Sequence, residues 1–203
     1  MHFSTIFAAA TGLAGTALAA DHKVAVGTKT GELKFMPDSI TAAEGDTVTF
    51  RFWPKNHSIA QAAFNSPCSP MNNGFWSGFV PTSDTNAVAN WTFTYEVKNA
   101  SAPVWFYCSQ GKHCQAGMVG VINPPASGPR TLDAFKNASK EVDSNVSPTI
   151  KAGTGGNLTE SSASSSSPSG TSSGTPSSTG AAAHMSGSVA FAGLAGAFAY
   201  LLM

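Results

Sequence analysis

Only one stretch of this 203-residue chain is suited to bury a core. All four tryptophans and all three cysteines lie between His22 and Pro125, and that block is expected to be the folded domain. The length allows one such domain plus extras, not two full domains. Its patterning is β. Val48, Phe50 and Phe52 alternate with Thr47, Thr49 and Arg51, and Trp91, Phe93 and Tyr95 alternate with Thr92 and Thr94. Lys23–Gly27 and Val119–Ile122 read as further short strands. Turn signals separate them at Glu44-Gly45-Asp46, Asn72-Asn73-Gly74 and Ser109-Gln110-Gly111-Lys112. No segment of the block keeps a helical period and no internal repeat is visible. Roughly seven or eight short strands in such a block predict an all-β sandwich.

Both ends of the chain read as segments outside the fold. Ile6–Ala20 are almost all small or apolar and end in Ala17-Leu18-Ala19, the small-x-small pattern of a secretory cleavage site. The run is too short to span a membrane comfortably, and its n-region carries His2 but no Lys or Arg. Residues 1–19 are therefore expected to be a removed signal peptide, with cleavage after Ala19 or Ala20 and entry into the oxidising route; an apolar first strand is the alternative. At the other end, Val189–Met203 are fifteen apolar residues with nothing polar after them, short of the about 20 that a spanning helix needs. Small residues at Ser177–Ala181, a modestly polar spacer through Ser188 and this tail fit a GPI-attachment signal over 181–203, with Ser178 as the attachment residue. A tail-anchored helix is the alternative.

Between domain and tail, Gly153–Gly180 hold 11 Ser, 5 Thr, 6 Gly and 2 Pro with no aromatic, Lys or Arg. Such a segment buries too little apolar surface to offset its chain entropy and reads as an O-glycosylated, disordered stalk. Residues 126–152 grade into it, with one weakly helical patch at Leu132–Val142, so 126–180 are expected to be linker and stalk. N-glycosylation acceptors occur at Asn56, Asn90, Asn99, Asn137, Asn145 and Asn157. Asn90, Asn99, Asn137 and Asn157 are expected to carry glycans, Asn99, Asn137 and Asn157 foremost. Asn145 is followed by Val-Ser-Pro, and a glycan on Asn56 would crowd His57.

The chemistry lies in the run Tyr107-Cys108-Ser-Gln-Gly-Lys-His113-Cys114-Gln-Ala-Gly117-Met118. It offers a thiol, an imidazole and a thioether in a loop between two strands. Upstream, the strand Thr47–Phe52 runs into Trp53-Pro-Lys-Asn56-His57, a second imidazole. Two His and one Cys with a weak axial Met form the ligand set of a trigonal copper centre: the thiolate suits Cu(I), the imidazoles also suit Cu(II), and the thioether keeps the oxidised ion from a square plane. Zinc, tetrahedral on His2Cys plus a fourth ligand, is the rival metal, and a Met in the fourth place argues against it. Alternation along Val104, Phe106 and Cys108 puts the sulfur on the inward face. Three cysteines permit one disulfide. Of the three pairings among Cys68, Cys108 and Cys114, two consume Cys108 and abolish the site.

The block over roughly residues 22–125 resembles the cupredoxins, and its Cys-x4-His-x4-Met spacing with a Cys straight after the His resembles the phytocyanin-type loop. Phe35-Met-Pro37-Asp-Ser-Ile40 followed by Gly45-Asp46-x-Val48-x-Phe50 is similar to the opening of secreted cupredoxins, particularly the Ser-rich, GPI-anchored ones of fungi. The resemblance implies a Greek-key sandwich over 20–125 and one type 1 copper ion held by His57, Cys108 and His113 with Met118 axial. It also implies a Cys68–Cys114 disulfide; the wide spacing of that pair points to an insertion around Asn72–Asp84.

These readings bound the function. Eleven basic against eleven acidic residues give no clustered charge for nucleic acid. Multicopper oxidases build a trinuclear cluster from many His, typically as His-x-His pairs, and this chain has no such pair. With His2 and His184 expected to leave with the terminal segments, His22, His57 and His113 remain, so no enzymatic site is expected. The expected function is one-electron transfer at the cell surface, by a monomer held by a GPI lipid in the plasma membrane or passed to the cell wall, with an unidentified redox partner protein. Copper storage, or a structural wall glycoprotein without redox role, is the alternative. Two weaker features remain: a mature terminus Ala20-Asp21-His22 could wrap Cu(II) in nitrogens, and Phe75, Trp76 and Phe79 could form a partner patch, though core filling is the expected role.

Overall fold

The computed structural model describes residues 18–82 and 84–160. The bulk of the expected signal segment, through residue 17, and the Ser/Thr-rich and apolar segments from residue 161 onward, Ser178 included, lie outside the described residues. Among the described residues the order is β1 (Asp21–Val26), β2 (Phe35–Met36), β3 (Ser39–Ile40), β4 (Thr47–Phe52), β5 (Lys55–His57), β6 (Ala60–Ala62), β7 (Val80–Thr82), β8 (Trp91–Glu96), β9 (Val104–Tyr107), β10 (Val119–Ile122), α1 (Leu132–Lys140) and β11 (Asn157–Glu160).

Alternation builds these strands. Val48, Phe50 and Phe52 of β4 are fully buried, whereas Thr47, Thr49 and Arg51 face outward, because successive side chains leave opposite faces. One sheet has the order β11-β8-β4-β1-β2, a second β3-β10-β9-β6, and a two-stranded piece joins β5 to β7. β1 runs parallel to β4 and β3 parallel to β10. Apart from β1–β2 and β9–β10, sheet neighbours are not consecutive in the chain, which crosses between sheets and gives the expected all-β Greek-key sandwich. Between the sheets Val24, Val26, Phe52, Phe93 and Met118 share one buried cluster with Phe106, whose ring stands edge-on to Phe35 at 4.9 Å and to Phe50 at 5.3 Å. The paired strand ends Val26↔Phe52 and Arg51↔Thr92 bring β1, β4 and β8 to one end of the first sheet, beside the turn into β5.

The structure corrects the expected end of the domain. The fold does not stop at Pro125, and residues 126–160 are not a linker grading into a stalk. The outer face of the second sheet is as apolar as its inner one: Trp105, Tyr107, Val119 and Val121 are buried there with Ala60 and Ala62. α1 covers it with Phe135, flanked by Leu132 and Val142. Those residues recur at helical spacing, Thr131 Oγ1 accepts from the Ala134 amide at 3.1 Å as the N-cap, and Lys136 pairs with Asp38. β11, inside the Gly153–Gly180 segment read as stalk, extends the first sheet antiparallel to β8, with Asn157 opposite Thr94 and Glu160 opposite Trp91. Every residue of β9 and β10 is buried, because both faces of this sheet are covered.

Candidate metal centre

His57 reaches the centre from β5. After Phe52 the Trp53 amide still bonds the Val26 carbonyl at 2.9 Å, and then Lys55, at φ 91°, redirects the chain. β5 pairs with β7, His57 opposite Val80, and the imidazole is 1% exposed. Its Nε2–H donates to the Pro54 carbonyl at 3.2 Å. With Nε2 so engaged, the Nδ1 lone pair is free for a metal. Gly27 makes the space: at φ +77°, a Cβ there would lie 2.6 Å from His57 Nε2.

The other candidates come from the loop between β9 and β10. Cys108 continues β9 by one residue, its amide donating to the Met118 carbonyl at 3.1 Å. The loop is tied by His113 N–H to Gln110 O at 2.9 Å and Met118 N–H to His113 O at 3.0 Å. Cys108 Sγ lies 3.4 Å from His113 Nδ1 and 3.9 Å from His57 Nδ1, and the three donor atoms fall within 4.8 Å of one another. Bonds of about 2.0–2.3 Å to a common ion set trigonal donors roughly 3.5–4 Å apart. The soft-plus-imidazole set therefore fits copper in kind and in spacing. Met118 is fully buried in the same core cluster as Cys108.

Cys68 and Cys114 form the disulfide, and Cys108 is the free, buried cysteine. Of the three pairings open to the sequence, this one leaves the inward sulfur unbridged. The disulfide packs on the outer face of the second sheet with Trp105 and Tyr107, so it pins the loop beside His113 from the side opposite the candidate ligands.

Burial sets the proton states. It depresses His57 to about 4, helped by the neighbouring His113, while the Pro54 carbonyl acts the other way. It lowers His113 as well, helped by Lys55. Both imidazoles are thus neutral at neutral pH. Burial pushes the Cys108 thiol up, against bonds to Gln110 and Ser58. The sulfur therefore stays protonated until a cation displaces the proton.

Residues without a motif also hold the site. The Ser58 hydroxyl accepts the Ser109 amide at 3.0 Å and lies 3.9 Å from Cys108 Sγ, linking the segment after one ligand to the segment after another. No pattern in the sequence marks Ser58, Pro54 or Gly27 for these roles. His22 is elsewhere: its Nε2 lies 3.0 Å from Asp46 Oδ2, while Asp46 Oδ1 accepts the Ala20 amide at 2.8 Å. The terminal arrangement that could wrap Cu(II) is thus committed to Asp46 and to the β1–β4 pairing. Phe75 and Trp76 are buried as core, whereas Phe79 is 43% exposed and stands edge-on to Trp76. Asn90, Asn99, Asn137 and Asn157 are exposed; Asn157 lies on an edge strand rather than in a stalk.

Residues 22–123 match the family described as copper binding proteins, plastocyanin/azurin family. An "Extracellular serine-rich protein" of Arthroderma benhamiae is 42% identical over 147 residues, covering 71% of this chain and 55% of that protein; the match spans little more than half of that relative. A "Probable GPI-anchored cupredoxin-1" of the same organism is 36% identical over 151 residues, covering 74% of this chain and 76% of that one. Among solved structures, the oxidized plastocyanin of Dryopteris crassirhizoma is 26% identical, covers 49% of this chain and 96% of its own, and superposes with a TM-score of 0.34.

Proposed function

Since the chain belongs to the plastocyanin/azurin family of copper-binding proteins, we propose that it is a cell-surface one-electron carrier whose single type 1 copper would be held by His57, Cys108, His113 and Met118. The observation that carries this reading is the convergence of two neutral imidazoles on the one unpaired, buried thiol. When bound, copper supplies the Cu(I)/Cu(II) couple. The chain's own residues do the rest. Pro54 holds the proton on His57 Nε2, which leaves Nδ1 unprotonated on the side of the Cys108 sulfur. Cys108 would give up its thiol proton on metal uptake, and the surrounding core excludes water from the sulfur. His113, half-buried where His57 is enclosed, offers the ring edge through which an electron reaches the surface. A donor set that serves both oxidation states needs little rearrangement in the transfer.

The cell-surface part rests on residues 1–19 as a removed signal, a GPI lipid at Ser178 and glycans on the four exposed asparagines. The names of the two fungal relatives, one extracellular and one GPI-anchored, support it, as does the exposure of those side chains. Whether the anchor keeps the protein in the plasma membrane or yields it to the wall is read by phospholipase release. Copper loading of the secreted protein tests the centre: an intense visible thiolate-to-copper band, the narrow EPR hyperfine splitting of a type 1 site and reversible voltammetry are expected. A colourless Cu(II) adduct with Cys108 still free would instead leave a copper store or a structural surface glycoprotein.

A further inference from the structure

Residues 145–147 lie beyond the span matched by the family, which ends at residue 123, yet they run along the ligand loop. Val146 is fixed at both ends of its peptide: its amide donates to the Cys68 carbonyl at 2.9 Å, and its carbonyl accepts the Tyr107 hydroxyl. On either side of it, two polar side chains turn onto the loop. Asn145 Nδ2 donates one hydrogen to the Cys108 carbonyl and one to the Gly111 carbonyl, both at 3.0 Å. The loop's first turn is thereby spanned by a single amide. Ser147 Oγ lies 3.0 Å from Ser109 Oγ, which lies 3.0 Å from Ser58 Oγ, which lies 3.9 Å from Cys108 Sγ.

One arrangement of the hydrogens in that row reaches the sulfur, and the distances favour it: Ser147 Oγ is nearer to Ser109 Oγ, at 3.0 Å, than to the Ser109 carbonyl, at 3.4 Å. Each hydroxyl has one to give. If Ser147 donates to Ser109 Oγ, the Ser109 hydrogen turns to Ser58. The Ser58 oxygen then accepts from both the Ser109 hydroxyl and the Ser109 amide. Its own hydrogen is left for the sulfur. Without Ser147, the Ser109 hydroxyl is free to turn and accept from Ser58, and the hydrogen facing the sulfur is lost.

We propose that residues 145–147 are a positioning strap for the metal loop: Asn145 holds the loop shut through the Cys108 and Gly111 carbonyls, and Ser147 aligns a three-hydroxyl row that ends at the ligand sulfur. A hydrogen bond donated to the thiolate withdraws electron density from it and favours the reduced ion, because the potential of such centres follows hydrogen bonding around the sulfur. The strap would also keep a glycan off Asn145, since its amide nitrogen is engaged by two carbonyls.

The electrochemical arm of the test rests on the copper reading; the copper-free arm does not. In the copper-free secreted protein, Asn145→Ala speeds iodoacetamide alkylation of Cys108 roughly tenfold, and Ser147→Ala speeds amide hydrogen exchange at Ser109 by a similar factor, as expected when a bond closing a local opening is removed. In the copper-loaded protein, Ser147→Ala lowers the reduction potential and Ser147→Thr restores it, a pattern that a merely structural role would not produce. Asn145→Asp, which keeps the shape and replaces the donors with an acceptor, should behave as Asn145→Ala and serves if that variant is not secreted. Alkylation at the wild-type rate in the Asn145 variants, unchanged exchange at Ser109, or a Ser147→Ala potential equal to wild type each overturns the strap. A wild-type protein that fails to turn blue defeats the copper reading instead, and the copper-free measurements still decide the strap.

Discussion

His57 donates its Nε2 proton to the carbonyl of Pro54, three residues earlier, at 3.2 Å. A residue at the head of a short strand thus settles which nitrogen of a buried imidazole faces the Cys108 sulfur. The bond is possible because Gly27, at the end of β1, leaves the ring its place.

Gly27→Ala therefore meets two obstacles. The added Cβ would sit 2.6 Å from His57 Nε2, and the positive φ costs a non-glycine residue about 1 kcal/mol by itself. Copper affinity is expected to fall by at least tenfold and the urea midpoint to drop. Unchanged copper titration would show that the ring is not confined by this position.

The donor set makes distinct predictions for each member. Cys108→Ala and His57→Ala abolish the visible charge-transfer band, because either change removes a donor that the thiolate-to-copper transition would require. Met118→Gln keeps the band and lowers the potential, since a harder oxygen donor in place of the thioether favours Cu(II). Spectra and voltammetry of the three variants read this directly.

A chain ended at Pro125 exposes the outer face that holds Trp105 and Tyr107 and removes β11 from the first sheet. It is expected to aggregate or fail secretion, whereas a chain ended at Glu160 folds. Within the intact domain Phe135→Ala, at a fully buried ring, should cost about 3–5 kcal/mol in chemical denaturation.

Acid should weaken the copper-free protein in two windows. His57 ionises near 6.5 when unfolded but near 4 when folded, so between those values the unfolded state binds the extra proton and stability declines as pH falls. Asp46 is held near 2, below its ordinary 3.8, first by His22 and then by the Ala20 and Ala43 amides. Its contribution is complete above about pH 4 and fades as pH falls toward 2. Denaturation at stepped pH checks both: His57→Gln should shrink the upper window, to which the lowered His113 also contributes, and Asp46→Asn should flatten the lower.

The Ala20–Asp46 bond at 2.8 Å also bears on processing. Cleavage after Ala19 would convert that amide into an ammonium group facing the same carboxylate, a charge-assisted bond; cleavage after Ala20 would remove it. The secreted protein should begin Ala-Asp-His on amino-terminal sequencing, and a chain found to begin at Asp21 contradicts this.

Strand identity, the inward sulfur and the ligand types were legible in residues 22–125, because side-chain alternation and ligand chemistry are local. β4 matched its alternation from Thr47 to Phe52, and Cys108 faces the interior with Val104 and Phe106. The choice among three disulfide pairings was not open to spacing alone. It depends on which side of a strand or loop each sulfur leaves, and the tertiary fold sends Cys114 outward and Cys108 inward.

By itself the sequence determined the sandwich and singled out the candidate donors with the chemistry they could support. Only the tertiary structure decided where the domain ends and what holds the donors still. α1, β11 and the 145–147 strap gain their stability from surfaces contributed by residues far away in the chain. A composition poor in aromatics reads as a linker until the apolar outer face of β9 and β10 is seen waiting to be covered.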